Sequence, residues 1–165
     1  MVTVRRARPE DAEAVAAVYA PAVSDGYASF EEQPPDAAEM ATRMAASLLW
    51  LVAEVDGQVV GWAYGSRHRD RAAYRWSADV SVYLAAGREG QGLGRALYDV
   101  LLPALADQGL ASLYAGISLP NAGSVALHER CGFRPIGAFP RVGFKHGRWH
   151  DVGWWWLPLH DRPAP

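Results

Sequence analysis

Apolar positions change their period several times along the chain, and each change marks an element. Val2-Thr3-Val4-Arg5-Arg6-Ala7 alternates as a first strand. Arg8-Pro9-Glu10-Asp11 then opens a helix, with proline and acids in the first turn where the backbone dipole favours them. It continues from Ala12 to Val23 with Val15, Val18, Tyr19 and Ala22 on one face. The stretch Asp25 to Pro35 is long for a connector and carries Tyr27 and Phe30, so it is expected to line a pocket. A second helix is predicted from about Asp36 to Leu48, capped by Asp36 with Glu39 three residues on. Trp50–Val55 and Gln58–Tyr64 form a hairpin closed by Asp56-Gly57, a pair that tolerates positive φ.

Tyr74 to Leu84 reads as the next strand. Beyond it Leu93, Ala96, Leu97, Val100, Leu101, Ala104 and Leu105 make one buried helical stripe, which Gln108-Gly109 ends and in which Pro103 predicts a kink. Leu110 to Ser118 is a strand, Ala122 to Arg130 a short helix stopped by Gly132, and Phe133–Phe144 with Arg148–Leu159 a closing pair around Lys145-His146-Gly147. Trp154, Trp155 and Trp156 put indoles on both faces of the last strand, and the face outside the core would need a covering surface. No repeat or boundary divides the chain. It reads as one domain over residues 1–160 with a short, disordered tail at 161–165.

Composition narrows the picture only at a few points. A chain of 165 residues, half of them hydrophobic, supports a true core. A net charge of −2 gives no pull toward nucleic acid or a membrane surface. The single cysteine, Cys131, excludes an internal disulfide framework and fits a reducing compartment. Met1-Val2-Thr3-Val4-Arg5-Arg6 has no signal-peptide core, and no apolar run approaches the roughly 20 residues that span a bilayer. The expected location is the cytoplasm.

The chemistry concentrates between Asp79 and Leu105: a strand, the turn Arg88-Glu89-Gly90-Gln91-Gly92-Leu93-Gly94, and a helix. Glycines there let backbone N–H groups approach a ligand, and the helix start adds unpaired amides and a positive dipole end. Such a junction suits a phosphate or pyrophosphate, though taken alone it is equally a tight strand-to-helix turn. It is not an ATP-type P-loop, lacking Gly-Lys-Ser/Thr, nor the dinucleotide fingerprint. Ser66-Arg67-His68-Arg69-Asp70-Arg71 is a local basic cluster, read from charge alone as either a solvated loop or an anion grip.

The order β-α-α-β-β-β-α-β-α-β-β, with Glu89-Gly90-Gln91-Gly92-Leu93-Gly94 after the fourth strand, resembles the GNAT N-acetyltransferase superfamily. Asn121 and His128-Glu129-Arg130-Cys131-Gly132-Phe133 echo its later pattern. Within it, Trp50–Gly57, Tyr74–Asp79, Val82–Leu84 and above all Gly143–Gly153 resemble the phosphinothricin and methionine sulfoximine N-acetyltransferases, over roughly residues 2 to 159. The resemblance implies an α/β (α+β) fold, a mixed, mostly antiparallel central sheet flanked by helices. Acetyl-CoA would enter a V-shaped cleft between strands 4 and 5. It implies a homodimer, the alternative being a monomer with the outer tryptophan face against the first helices, no metal, and transfer of the acetyl group to the amine of a small anionic amino acid.

Implied for acetyl-CoA are Val82, Tyr83 and Leu84 along the strand, Arg88, Gly90, Gln91, Gly92, Leu93, Gly94 and Arg95 in the loop and helix start, and Asn121 and Ser124. Asp79, where the family has glutamate, is the implied base for the amine, and His128 the implied acid or substrate contact near the sulfur. Phe30, Arg69, Arg71, Tyr74, Tyr83 and Val152 are implied for the amino acid, with Arg69 and Arg71 expected to point to one side of an extended segment. Departures are Asp79 itself, Glu89 where arginine or glutamine is usual, and Ser118 where glycine is frequent. Arg88 and Arg95 are the cations expected to offset Glu89. Competing readings are a relative acting on another small amine or a peptide N-terminus, and a non-catalytic acyl-CoA-binding module.

Overall fold

The computed structural model of the chain describes residues 1–159, so the tail expected at 161–165 lies outside the described residues. Its elements are β1 (Val2–Arg6), α1 (Ala12–Ser24), α2 (Ala37–Ala46), β2 (Leu49–Val55), β3 (Gln58–Arg67), β4 (Ser77–Leu84), α3 (Leu93–Asp107), β5 (Ser112–Ser118), α4 (Ala122–Arg130), β6 (Arg134–Lys145) and β7 (Arg148–Pro158). The strands form one sheet in the order β1-β2-β3-β4-β5-β7-β6, antiparallel throughout except for β4 with β5.

Period-2 alternation explains why β2 reads as a continuous apolar run. Leu49, Leu51 and Ala53 face one layer, where Leu97, Tyr98, Leu101 and Leu105 of α3 pack on Ala78, Val80, Leu113 and Ala115. Trp50 and Val52 face the other, beneath Val15, Val18 and Tyr19 of α1 and Met40 of α2. Asp36 caps α2 by accepting from the Glu39 amide at 2.9 Å. Asp56 and Gly57 take φ of 51° and 80° at the hairpin. Pro103 sits within α3 without ending it.

Several boundaries move. The strand expected from Tyr74 begins at Ser77, because Ala72–Tyr74 closes a 3-10 turn. There the guanidinium of Arg75 lies over the Trp76 ring at 3.7 Å instead of extending. The first two residues of the basic cluster, Ser66 and Arg67, belong to β3. The tryptophan run is also better covered than its pattern suggested. Trp155 is in the core, and Trp156 is half-buried with its indole N–H on Ser112 Oγ at 3.1 Å. Trp154 packs beside Phe139 at 5.7 Å between ring centroids. Exposed large apolar side chains cluster instead on the β6–β7 hairpin, at Ile136, Phe139, Val142, Phe144 and Trp149.

What matters for function is where the sheet comes apart. β4 and β5 pair in parallel only over Ser77–Asp79 with Ser112–Tyr114. Beyond that rung β4 stays with β3 as far as Leu84, and β5 stays with β7 as far as Ser118. Their facing edges part into a V with unpaired backbone groups on both arms.

Candidate active site

One arm of the V runs into the glycine loop. Gly90 and Gly92 hold φ of 74° and 80°, and a Cβ on either would meet nothing within 4 Å, so the loop backbone lies open. Gly92 is the N-cap of α3, and the first α3 bond runs from the Ala96 amide to the Gly92 carbonyl at 2.9 Å. The amides of Leu93, Gly94 and Arg95 precede it and stand at the positive end of the dipole. Gly94 is needed for packing: a Cβ there would come within 2.8 Å of the Leu127 side chain, on α4.

The cleft bounded by this loop, the V and α4 has a volume of about 860 Å³. Its lining brings together Val82, Tyr83, Leu84, Gly90, Gly92, Leu93, Gly94, Arg95, Asn121, Ser124 and His128. Open glycines, free helix-start amides and an unpaired strand edge fit the pyrophosphate and extended arm of acetyl-CoA. Arg88 and Gln91 do not line it, and the Gln91 side chain instead donates to the Gly87 carbonyl at 3.1 Å. Glu89 does line it. The offset expected from Arg95 is shared, since its guanidinium is held by Asp99 at 2.6 Å and by the Arg130 carbonyl at 3.1 Å. Asn121 caps α4 through the Ser124 amide at 3.1 Å.

His128 is placed on the cleft but is committed elsewhere. Its Nδ1 lies 2.7 Å from the Ser124 carbonyl, which can only accept, so Nδ1 carries the hydrogen. Nε2 then accepts from the Tyr98 hydroxyl at 2.8 Å. The ring is 3 % exposed, and burial lowers its pKa from the ordinary histidine value, opposed by the Ser124 bond. A neutral ring with its one N–H already donated has no proton free for a leaving thiolate. The acid role implied for His128 meets this obstacle in the geometry.

The opposite face of the V's vertex is polar in a different way. Asp79 occupies the last rung of the parallel ladder, opposite Tyr114, and its Oδ1 is 2.6 Å from Nδ1 of His68. Burial raises the Asp79 pKa above the ordinary carboxylate value, and the His68 bond works against that rise. Around the His68 ring stand Tyr114 at 5.1 Å, Tyr74 at 5.7 Å and Trp154 at 6.4 Å between centroids. His68 is the site residue that sequence reasoning missed. Register explains it: Ser66 pairs with Asp79, so the residue two further on shares that face, but the irregular 68–76 connection hides the pairing from the sequence.

The remaining implied substrate residues are scattered around this face. Residues 68–76 bend and turn, so Arg69 and Arg71 do not alternate along an extended segment. Both are exposed, and Arg69 folds back to donate to the His68 carbonyl at 2.9 Å. Phe30 packs directly on Gly143 and lies 6.1 Å from the His150 ring. Val152 pairs with Ser118 and Phe139 across β7. The Tyr83 hydroxyl donates to Ala28 at 3.2 Å. That bond belongs to the long loop, of which Gly26 and Ala28 line the cleft as its length suggested. The loop is pinned by the buried Lys145 ammonium, which donates to Val23 and Ser29 carbonyls at 2.6 and 2.7 Å, and by Arg43 on Glu31.

Comparison with known proteins bears on the whole chain. The acetyltransferase (GNAT) domain model matches residues 4–154. A phosphinothricin N-acetyltransferase of Alcaligenes faecalis is 43% identical over 163 residues, 96% of this chain and 83% of that protein. An L-methionine sulfoximine/L-methionine sulfone acetyltransferase of Salmonella typhimurium is 33% identical over 99% of this chain and 98% of its own length. Among solved structures, the Salmonella typhimurium protein yncA with its cofactor acetyl-CoA superposes with a TM-score of 0.96 at 32% identity, covering 99% of this chain and 97% of that one. A Sinorhizobium meliloti phosphinothricin acetyltransferase in complex with acetyl-CoA gives 0.92 at 36% identity, covering 96% and 88%.

Proposed function

The chain belongs to the GNAT acetyltransferase family, and we propose that it moves the acetyl group of acetyl-CoA to the amino group of a small anionic amino acid of the phosphinothricin or methionine sulfoximine kind. The observation that carries this is the parting of β4 from β5 beside an open glycine loop, in a chain whose relatives act on those two amino acids. Acetyl-CoA supplies the activated thioester. The chain supplies amides of Leu93, Gly94 and Arg95 for its pyrophosphate and the free edge of β4 at Val82 and Leu84 for the arm and the thioester oxygen. Asn121 and Ser124 flank the sulfur end at the start of α4.

On the other face Asp79 serves removal of a proton from the substrate ammonium, while Arg69, Arg71 and Tyr74 meet its anionic head. Phe30 and Val152 border that region from the loop and β7. An opening edged by tyrosines and by Arg69 and Arg71, which form no ion pair among the described residues, favours a small anion over a peptide N-terminus. The exposed apolar side chains of the β6–β7 hairpin support a homodimer that covers them. A free Cys131 supports work in the cytoplasm. No metal enters the reading.

The test is release of CoA thiol from acetyl-CoA with phosphinothricin, methionine sulfoximine and a panel of other amines supplied separately. Saturable turnover with the first two, with KM raised at least tenfold in Arg71→Ala, is the expected result. Turnover confined to unrelated amines would remove the substrate class and leave the acetyltransferase. Tight acetyl-CoA binding without turnover on any amine would point to a binding module.

A further inference from the structure

We propose that His68, oriented by Asp79, is the group that takes the proton from the substrate amine, so that the base is a histidine–aspartate pair at the vertex of the V and not the carboxylate alone. The inference rests on the acetyl-transfer reading. Its ground is geometric. A carboxylate has only acceptors, so the 2.6 Å contact makes Nδ1 of His68 the donor to Asp79 Oδ1. In the neutral ring that tautomer leaves Nε2 as a bare lone pair, the atom a base needs. Asp79 meanwhile spends Oδ1 on the ring, and the two side chains are comparably half-buried, 19% exposed for His68 and 27% for Asp79, so the bonding and not the exposure singles out Nε2.

Position agrees. The pair sits on the Asp79–Tyr114 rung, the last before β4 and β5 separate, which is where an amine from one face reaches a thioester held along the other. The groups facing the imidazole are Asp79 on β4, Tyr74 on the 3-10 turn, Tyr114 on β5 and Trp154 on β7, with Arg69 the neighbouring cation on its own segment. Among the described residues Asp79 is the carboxylate bonded to the ring. It holds the ring in register and stabilises the imidazolium once the proton arrives, while the aromatic walls limit competing water.

The step balances. An N–H bond of the ammonium breaks and its proton goes to Nε2. The freed lone pair forms the new C–N bond at the acetyl carbon as the C–S bond of the thioester breaks, and the leaving sulfur takes the second amine proton. Nε2 returns its proton to water, giving amide, thiol and one released proton.

The experiment compares His68→Asn with wild type. Asparagine keeps a donor toward Asp79 and deletes Nε2. The expected result is a fall in kcat of about 10²-fold or more, with amino-acid KM within about threefold and acetyl-CoA affinity by calorimetry unchanged. In His68→Ala, added imidazole should restore at least about a tenth of the loss in proportion to its neutral form, a response that a merely structural histidine would not show. A kcat within threefold of wild type in His68→Asn overturns the assignment, as does a folded, acetyl-CoA-binding His68→Ala that imidazole leaves unchanged. Absence of wild-type turnover on every amino acid, with acetyl-CoA still bound, would instead remove the functional reading and this inference with it.

Discussion

Two histidines stand on either side of the point where the sheet divides, and they differ in one respect that decides what each can do. His128, on α4, has both ring nitrogens bonded within the protein and is 3 % exposed. His68, just beyond β3, has one nitrogen on Asp79, and its side chain is 19% exposed. The first resembles a core hydrogen-bonding group that happens to border a cleft. The second has the arrangement of an oriented base. Residue type and closeness to a motif are therefore weak guides to chemistry, and the partner set of each ring nitrogen is a strong one.

The sharpest way to break this contrast is Asp79→Asn. An amide in place of the carboxylate no longer requires the Nδ1–H tautomer or stabilises imidazolium, so kcat should fall by about 10²–10⁴-fold in steady-state assays, with acetyl-CoA affinity kept. His128→Ala should act on the other quantity. It strips the fully buried Tyr98 hydroxyl of its acceptor and opens a cavity, which should lower unfolding stability by about 2–4 kcal/mol in urea titration. His68→Ala should cost under about 1 kcal/mol in the same measurement. Full stability with no turnover in His128→Ala would return the catalytic role to that ring.

A smaller effect tests the cofactor side alone. Glu89 lines the cleft beside the glycine loop, so Glu89→Gln should tighten acetyl-CoA binding by about three- to tenfold at low ionic strength, a gain that calorimetry should see shrink as salt rises. The smallest concerns the loop over the site. The Arg43 guanidinium, bonded to Glu31, holds that carboxyl below its usual 4.5, with burial acting against it and the Tyr19 hydroxyl in support. A depressed carboxylate stabilises the fold above 4.5 and loses that contribution as pH falls through its lowered value. Proteolysis of the 25–35 loop should therefore quicken modestly in acid, and Arg43→Ala should flatten that dependence.

Most of the fold, and the residues that line the cleft from the glycine loop, were legible because they rest on local rules. The stripe from Leu93 to Leu105, the Asp36 cap and the Asp56-Gly57 hairpin each depend on neighbours within a few residues; the cap and the hairpin appear as read, and the stripe does except that Val100 is exposed and Tyr98 takes a buried place. The glycine loop was legible for the same reason, since a glycine-rich turn into a helix start is a local object. Arg69 and Arg71 were misjudged because an extended conformation was assumed where Ala72–Tyr74 turns. The cover over the tryptophans was misjudged because it comes from Phe139 and Ser112, distant in the chain.

By itself, then, the amino-acid sequence determined the succession of elements, the glycine-rich strand-to-helix turn and the family, all of them carried by motifs and residue types over short stretches. Only the tertiary structure decided that the β4–β5 ladder ends at Asp79, that Tyr98 claims His128, and that His68 lands on Asp79. Those three outcomes depend on strand register and on packing between elements, where a shift of one residue turns a side chain to the other face of the sheet.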